Sequence, residues 1–336
     1  MTPRQAGFHM PAEWQLHEAT WIAWPHNEDD WPGRFEPIPW VYGEIVRKLA
    51  AVERVRILVQ DEDAEQRARA VLAKVGANLA AVDFYRIPTD RVWTRDFAPS
   101  FVTSGAETAA VKWRFNAWAK YDNWQRDDAA GRRIPALVNK RCWDAPIVLE
   151  GGSIDVNGDG WVMTTEECLL SPVQARNPEM TREQLEETLR EHLGVNRVLW
   201  LRNGIAGDDT HGHIDDLARF VGRDTIVIAS EPDRSDPNYE PLCENREILK
   251  QYPFQVIELP MPEPVVFDGQ RLPASYANFY LANGLVLVPT FNDPSDRLAL
   301  NTLAEAMPGR RVTGINCTEL VWGLGTLHCM TQQQPA

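Results

Sequence analysis

The sequence runs to 336 residues, 44% hydrophobic and 24% charged, with a formal net charge of −14. That balance is ordinary for a soluble globular protein; its sign disfavours nucleic acid and anionic membrane surfaces as partners and favours a cationic small molecule. The longest apolar runs, such as LVLVP at 285–289, are too short to cross a bilayer.

The first residues, MTPRQAGFHMPAEW, contain no apolar signal core, so a cytoplasmic protein is expected. Five cysteines without paired spacing read as free thiols in a reducing compartment. An amphipathic helix followed by a β-rich strand then recurs along the chain. WVYGEIVRKLAAVE leads to VRILVQ (55–60), and DAEQRARAVLAKVG leads to AVDFYRI (81–87). TREQLEETLREHLG leads to RVLWL (197–201), PLCENREILKQY to QVIEL (255–259) and SDRLALNTLAEAM to RRVTGI (310–315). Thr181 with Gln184 forms a capping box at the start of the third helix, and Gly194 suits its end. The last three helices each follow an earlier strand, at strand-to-strand spacings of roughly 27 to 37 residues, the range of repeat architectures. Five ββαβ-like modules about a pseudo-symmetric axis fit this pattern; an α/β protein of two domains is the alternative.

DVNGDGWVMTTE, residues 155–166, satisfies the calcium-loop pattern in full. A helix is needed on each side of such a loop. Here Pro146, Gly151 and Gly152 stand upstream and Pro172 downstream, so the better reading is a hairpin of GSIDV and WVMTT turning at NGDG. THGHIDD (210–216) is a candidate metal cluster, with His211 and His213 on one strand face, but only His328 follows it as a further histidine ligand. Without metal, a strand would place His213 and Asp215 together and Ile214 in the core, giving a general acid/base beside a carboxylate. Cys329, after Gly323 and Gly325 in WGLGTLHCMTQQQP, is a candidate nucleophile on a short strand. Asp96 stands among aromatics in VWTRDFAPSF, with Arg95 as its neighbour in a surface pair or otherwise, and Glu150 ends an apolar run in VLEGGSI.

Taken in order, these clusters resemble the agmatine deiminase branch of the guanidine-modifying (pentein) superfamily, which is grouped with a bacterial type of peptidylarginine deiminase. The resemblance rests on MPAEWQLHEATWIAWPHN, VWTRDFAPSFV, KWRFNAW, LEGGSIDVNGDGWVMTTEECLL, DDTHGHIDDLARFV, YANFYLANGLVLVPTFNDPSD and HCMTQQQP, nearly the whole chain. It implies a single catalytic domain over 1–336, folded as a five-bladed pseudo-symmetric α/β propeller of ββαβ modules with the site in its central channel. It further implies Cys329 as nucleophile, His213 as general acid/base, Glu150 orienting that histidine, and Asp96 and Asp215 gripping a guanidinium. Trp93 and Trp118 are wall candidates for the substrate. The implied reaction converts agmatine and water to N-carbamoylputrescine and ammonia through a covalent Cys-thiouronium intermediate, with no metal or organic cofactor. Another arginine derivative, a C-terminal peptidyl arginine, and a metallohydrolase built on His211, His213 and Asp215 are the alternatives. Leu324 within GLG, and His211 and Asp216 around GHID, depart from the branch's pattern. Assembly with further copies of the chain is left open.

Overall fold

The computed structural model describes residues 1–336. The chain builds five small mixed sheets of a recurring pattern in a mixed α/β fold. Strands β1 (His17–Ala23), β2 (Arg54–Val59) and β3 (Val82–Arg86) are parallel, crossed over by α1 (Ile38–Leu49) and α2 (Glu62–Lys74). After the one-turn helix α3 (Thr94–Phe97) come β4 (Ser100–Ser104), β5 (Glu107–Arg114), α4 (Gln125–Leu137) and β6 (Cys142–Val148). The third sheet holds β7 (Asp155–Val156), β8 (Trp161–Thr165) and β9 (Arg197–Leu201), with α5 (Glu166–Leu170) and α6 (Arg182–Leu193) between the last two. The fourth comprises β10 (Ala218–Gly222), β11 (Thr225–Ser230), α7 (Tyr239–Leu249) and β12 (Gln255–Pro260). A short hairpin, β13 (Val266–Phe267) and β14 (Gln270–Arg271), precedes the fifth: β15 (Tyr280–Ala282), β16 (Leu285–Thr290), α8 (Asp296–Ala306) and β17 (Arg311–Asn316). Finally β18 (Gln332–Pro335) returns to pair antiparallel with β1, joining the two ends of the chain in one sheet.

Sheets two to five each consist of an antiparallel pair followed by a helical crossover to a parallel strand. These sheets do not coincide with the five helix-to-strand units counted in the sequence. Two of those units, ending in β2 and β3, belong to one sheet. The module of β4, β5, α4 and β6 has no counterpart in that count, because Gly131 and Pro135 lie inside α4 and break its helical signature.

The helices pack by their apolar stripes. In α1, Ile38, Tyr42, Ile45, Val46 and Leu49 are buried, at i, i+4, i+7, i+8 and i+11. Each such side chain contributes about 1.5–3 kcal/mol through burial. Asp61 caps α2 by accepting from Ala64 N at 2.8 Å, and the expected capping box and left-handed Gly194 (φ 64°) bound α6. No helix is long and apolar enough to cross a membrane.

Two local expectations change. GHID is not a strand: residues 214–216 form a 3-10 turn with His213 as its cap. Cys329 likewise precedes β18, in the turn that enters it, where its carbonyl accepts from Arg95 backbone N–H at 3.1 Å.

Candidate active site

The site forms where the loops before and after the sheets meet. In α3, Arg95 and Asp96 do not pair on the surface. Arg95 turns inward, donating through Nη1 to Gln333 Oε1 (2.7 Å) and through Nε to the His328 carbonyl (3.3 Å). Asp96 turns the other way: its Oδ1 accepts from Gly152 N at 3.0 Å and its Oδ2 from Trp118 Nε1 at 2.9 Å. Trp118 reaches it from a left-handed turn in which Ala117, Trp118 and Ala119 have φ of 51°, 58° and 53°. Non-glycine residues pay steric strain there, a feature that concentrates at functional sites. Asn116 helps hold the turn by accepting from Ala119 N at 2.9 Å.

Glu150, Gly151 and Gly152 pass directly beneath this carboxylate. A Cβ on Gly152 would lie 2.6 Å from His213 Nδ1, 2.9 Å from Asp96 Oδ1 and 3.0 Å from Asp215 Oδ2. Only glycine lets the backbone run between those three groups. Glu150 is fully buried and accepts from Arg176 Nε at 3.2 Å. His213 presents Nε2 to Glu150 Oε2 at 3.6 Å, and Nδ1 to Asp215 Oδ1 at 3.8 Å and Asp96 Oδ1 at 4.0 Å. These separations exceed hydrogen-bond length, and both ring nitrogens, Glu150 Oε2 and Asp215 Oδ1 are buried without a partner. An imidazole thus stands among three carboxylates without a direct hydrogen bond to any of them.

Cys329 closes the cluster. Its Sγ lies 3.7 Å from Asp215 Oδ2 and 3.1 Å from Asn278 Nδ2. Asn278 Oδ1 in turn accepts from Thr326 Oγ1 (2.7 Å) and His328 N (3.0 Å), shaping the turn that carries the thiol. The GLG stretch has a steric basis: a Cβ on Gly323 would meet Trp31 at 2.6 Å, and one on Gly325 would meet Trp93 at 2.8 Å. Leu324 between them adopts φ 68°.

Burial and neighbouring charge set the protonation states. Burial raises the Asp96 pKa to about 7, with Asp215 and Glu150 adding to the rise against His213 and the Gly152 hydrogen bond. For Glu150, burial acts upward, but Arg176 and His213 outweigh it and hold the carboxyl at about 2. Burial opposes a charged His213, yet Asp96, Cys168 and Glu150 prevail and lift its pKa well above the ordinary range. Burial, then Asp215, Asp216 and Asp96, push the Cys329 thiol well up. These directions favour a neutral thiol beside a cationic imidazole.

Cys329, Asp96, Trp93 and Trp118 line a cavity of about 180 Å³, together with Tyr121, Trp322 and Leu324 and the acidic side chains Asp29, Asp30 and Asp209. Asp215, His213 and Glu150 are fully buried around that lining. All five residues singled out as catalytic, and both tryptophans, are thus gathered in one place. His211 is not: with φ 62° it turns to Ser171 Oγ (3.0 Å) and Glu167 (3.7 Å), so it shares no face with His213 and the alternative His211–His213–Asp215 ligand set is not assembled. The ligand-type atoms that do lie within 4.8 Å of one another are those of Glu150, Cys168 and His213, and of Asp215, Asp216 and Cys329.

The calcium-like loop is a turn between β7 and β8. Asp155 pairs with the buried Arg219, Asp159 with Arg223 at 2.7 Å, and Asn157 Oδ1 accepts from Asp159 N and Trp161 N at 2.9 and 3.1 Å. The first strand of that hairpin is shorter than GSIDV, since Gly151–Ser153 form a 3-10 turn.

Several contributing residues carried no local signal. Arg176 lies in an irregular loop, Asn278 in a run of small and aromatic residues, and Cys168 in a short helix; only the fold brings them to Glu150, Cys329 and His213.

Comparison with known proteins agrees with this geometry. Residues 9–335 match the Porphyromonas-type peptidyl-arginine deiminase family. The agmatine deiminase of Ectopseudomonas mendocina is 38% identical over 367 residues, covering 100% of this chain and 97% of the relative. Among solved structures, the agmatine deiminase of Enterococcus faecalis superposes with a TM-score of 0.93 at 31% identity, covering 99% of this chain and 97% of that one. A cysteine-to-serine variant of the C. jejuni agmatine deiminase with substrate bound gives 0.90 at 30% identity, covering 98% and 96%. A full-length match in sequence and in backbone, on a chain that gathers a thiol, an imidazole and three carboxylates, places this chain in the Porphyromonas-type peptidyl-arginine deiminase family.

Proposed function

We propose that this chain hydrolyses agmatine to N-carbamoylputrescine and ammonia, using Cys329 as nucleophile. The observation that carries the reading is that Cys329 and Asp96 line a cavity with aromatic walls and further carboxylates, while the buried Asp215 stands behind that lining, 3.7 Å from the Cys329 sulfur. A guanidinium is a flat delocalised cation, and two carboxylates fix both its plane and the position of its carbon. Asp215 Oδ1, which has no partner, and the Asp96 carboxylate supply that grip.

The cation also solves a problem of protonation. Burial, and after it Asp215, Asp216 and Asp96, raise the Cys329 thiol pKa; a bound positive charge offsets those carboxylates and favours loss of its proton. The thiolate then adds to the guanidinium carbon. Cationic His213 gives a proton to the leaving nitrogen, ammonia departs, and a thiouronium ester remains on Cys329. Neutral His213 next takes a proton from water, whose oxygen attacks the same carbon, and collapse expels the thiolate with the ureido product. Glu150, fixed by Arg176, keeps the imidazole oriented and favours its charged form. No step in this scheme uses a metal or an organic cofactor.

The tetramethylene chain of agmatine is accommodated by Trp93, Trp118 and Leu324, and its far ammonium by the carboxylates of Asp30 and Asp209. Arg91 also lines the cavity but is paired with Asp30, so the surplus of carboxylates there opposes the α-carboxylate of arginine. At the level of architecture, the five repeated sheets, with first and last strands paired, support a single catalytic domain arranged as a five-bladed propeller about this cavity. Ammonia release from agmatine, arginine and a peptide ending in arginine tests the assignment. Turnover of agmatine well above the other two is expected; preference for the peptide, or no turnover of agmatine, would overturn it.

A further inference from the structure

We infer that Glu13, acting through His328, positions Asp215 for the substrate, so that the N-terminal PAEW segment belongs to the binding machinery. The inference rests on the reading of Asp215 as a guanidinium grip. His328 Nδ1 lies 2.7 Å from Asp215 Oδ2, and its Nε2 lies 2.7 Å from Glu13 Oε2. All three side chains are at least nine-tenths buried. The ring therefore spans two carboxylates with one nitrogen on each.

Glu13 is itself fixed from several directions. Arg219 Nη2 donates to its Oε2 at 2.9 Å, Arg95 Nη2 lies 3.5 Å from the same oxygen, and Leu281 N donates to Oε1 at 2.9 Å. It stands in the middle of a buried chain that runs Asp155, Arg219, Glu13, His328, Asp215. At the far end the two oxygens of Asp215 are divided. Oδ2 is held by His328, while Oδ1 has no partner and stands 3.8 Å from His213 Nδ1. Holding one oxygen fixes the direction in which the other points, and that free oxygen is the one a cation can take. His328 also precedes Cys329 in the chain, so one turn sets both the thiol and the carboxylate it faces.

The test uses agmatine in two settings: steady-state turnover, and equilibrium binding followed by tryptophan fluorescence in a Cys329→Ser background, where the cavity's own tryptophans report occupancy. Glu13→Gln keeps the shape of the side chain and removes its charge. His328→Asn keeps a donor near Asp215 but is too short to reach Glu13, and it leaves Glu13 with its arginines should the first variant fail to fold. Loss of a buried charge-assisted bond predicts a rise of about tenfold or more in Kd and KM, with a smaller change in kcat once substrate saturates the site. A folded variant with Kd and KM equal to the parent overturns the inference alone, as does a fall in kcat with KM unchanged. No binding of agmatine by the Cys329→Ser parent overturns the agmatine reading, and this inference with it.

Discussion

Gly152→Ala adds one methyl group and replaces none of the side chains that do the proposed chemistry, yet it should disable them. The added Cβ would lie 2.6 Å from His213 Nδ1, 2.9 Å from Asp96 Oδ1 and 3.0 Å from Asp215 Oδ2. Carbon atoms in packed interiors sit about 3.5 Å or more from their neighbours, so these groups must give way by roughly half to one ångström. Gly152 does not have a positive φ, and the penalty is therefore contact rather than backbone strain. Overpacking of this kind costs about 1–3 kcal/mol of stability, which leaves the chain folded. Misplacement by about 1 Å costs on the order of 10²-fold in rate. The assay is kcat/KM for ammonia release from agmatine beside the melting temperature of the same preparation. A loss of about a hundredfold or more, with a melting temperature lowered by only a few degrees, is expected. Wild-type kcat/KM in the folded variant would refute the proposed convergence of His213, Asp96 and Asp215 on one substrate group.

Other expectations follow from the charges. Asp96 titrates at about 7 because of burial and the neighbouring carboxylates, and its protonated form cannot pair with a cation, so kcat/KM for agmatine should fall as pH drops through 7; a pH–rate profile flat to pH 5 would contradict this. Arg176→Met removes the counter-charge of buried Glu150 and should destabilise the fold by about 3–5 kcal/mol, measured by urea unfolding. Glu150 is held at about 2, against 4.5 unperturbed; its depressed value contributes stability that is complete above pH 4.5 and lost as pH falls toward 2. Acid unfolding of Arg176→Met should accordingly begin at higher pH than in the parent. Calcium should leave the melting temperature unchanged, since Asp155 and Asp159 are engaged by Arg219 and Arg223; a calcium-dependent rise would show that the loop binds the ion after all.

The parts of the site that the sequence disclosed are those whose chemistry is carried by one residue in a marked context. Cys329 after two glycines, Glu150 against two glycines, Asp96 between aromatics, and His213 beside Asp215 were each visible, though each had a plain structural reading too. Their relation was not. His213 and Asp215 were expected together through the two-residue period of a strand. They come together instead across a 3-10 turn, 3.8 Å apart, because the chain at 208–213 is drawn in by Asp208, whose carboxylate accepts from Gly212 N at 2.7 Å and His213 N at 3.0 Å. The left-handed turn that aims Trp118 at Asp96 leaves no trace in residue type, since alanine and tryptophan do not favour it. Helix α4 was hidden for a related reason. A Cβ on Gly131 would lie 2.0 Å from the Phe97 carbonyl, so tertiary packing against α3 requires the residue that weakens the helical pattern. The alternation of helix and strand is legible, by contrast, where the crossover helix carries a clear apolar stripe, as α1, α2, α6, α7 and α8 do, although the units ending in β2 and β3 fall in one sheet.

The most direct test of the account is to quench turnover of agmatine with acid and map the protein by mass spectrometry. The account predicts an adduct equal to agmatine less ammonia on the peptide bearing Cys329, absent from Cys329→Ser, which should release no ammonia. An adduct on Cys168, Cys317 or another residue, or ammonia release that survives Cys329→Ser, would contradict it.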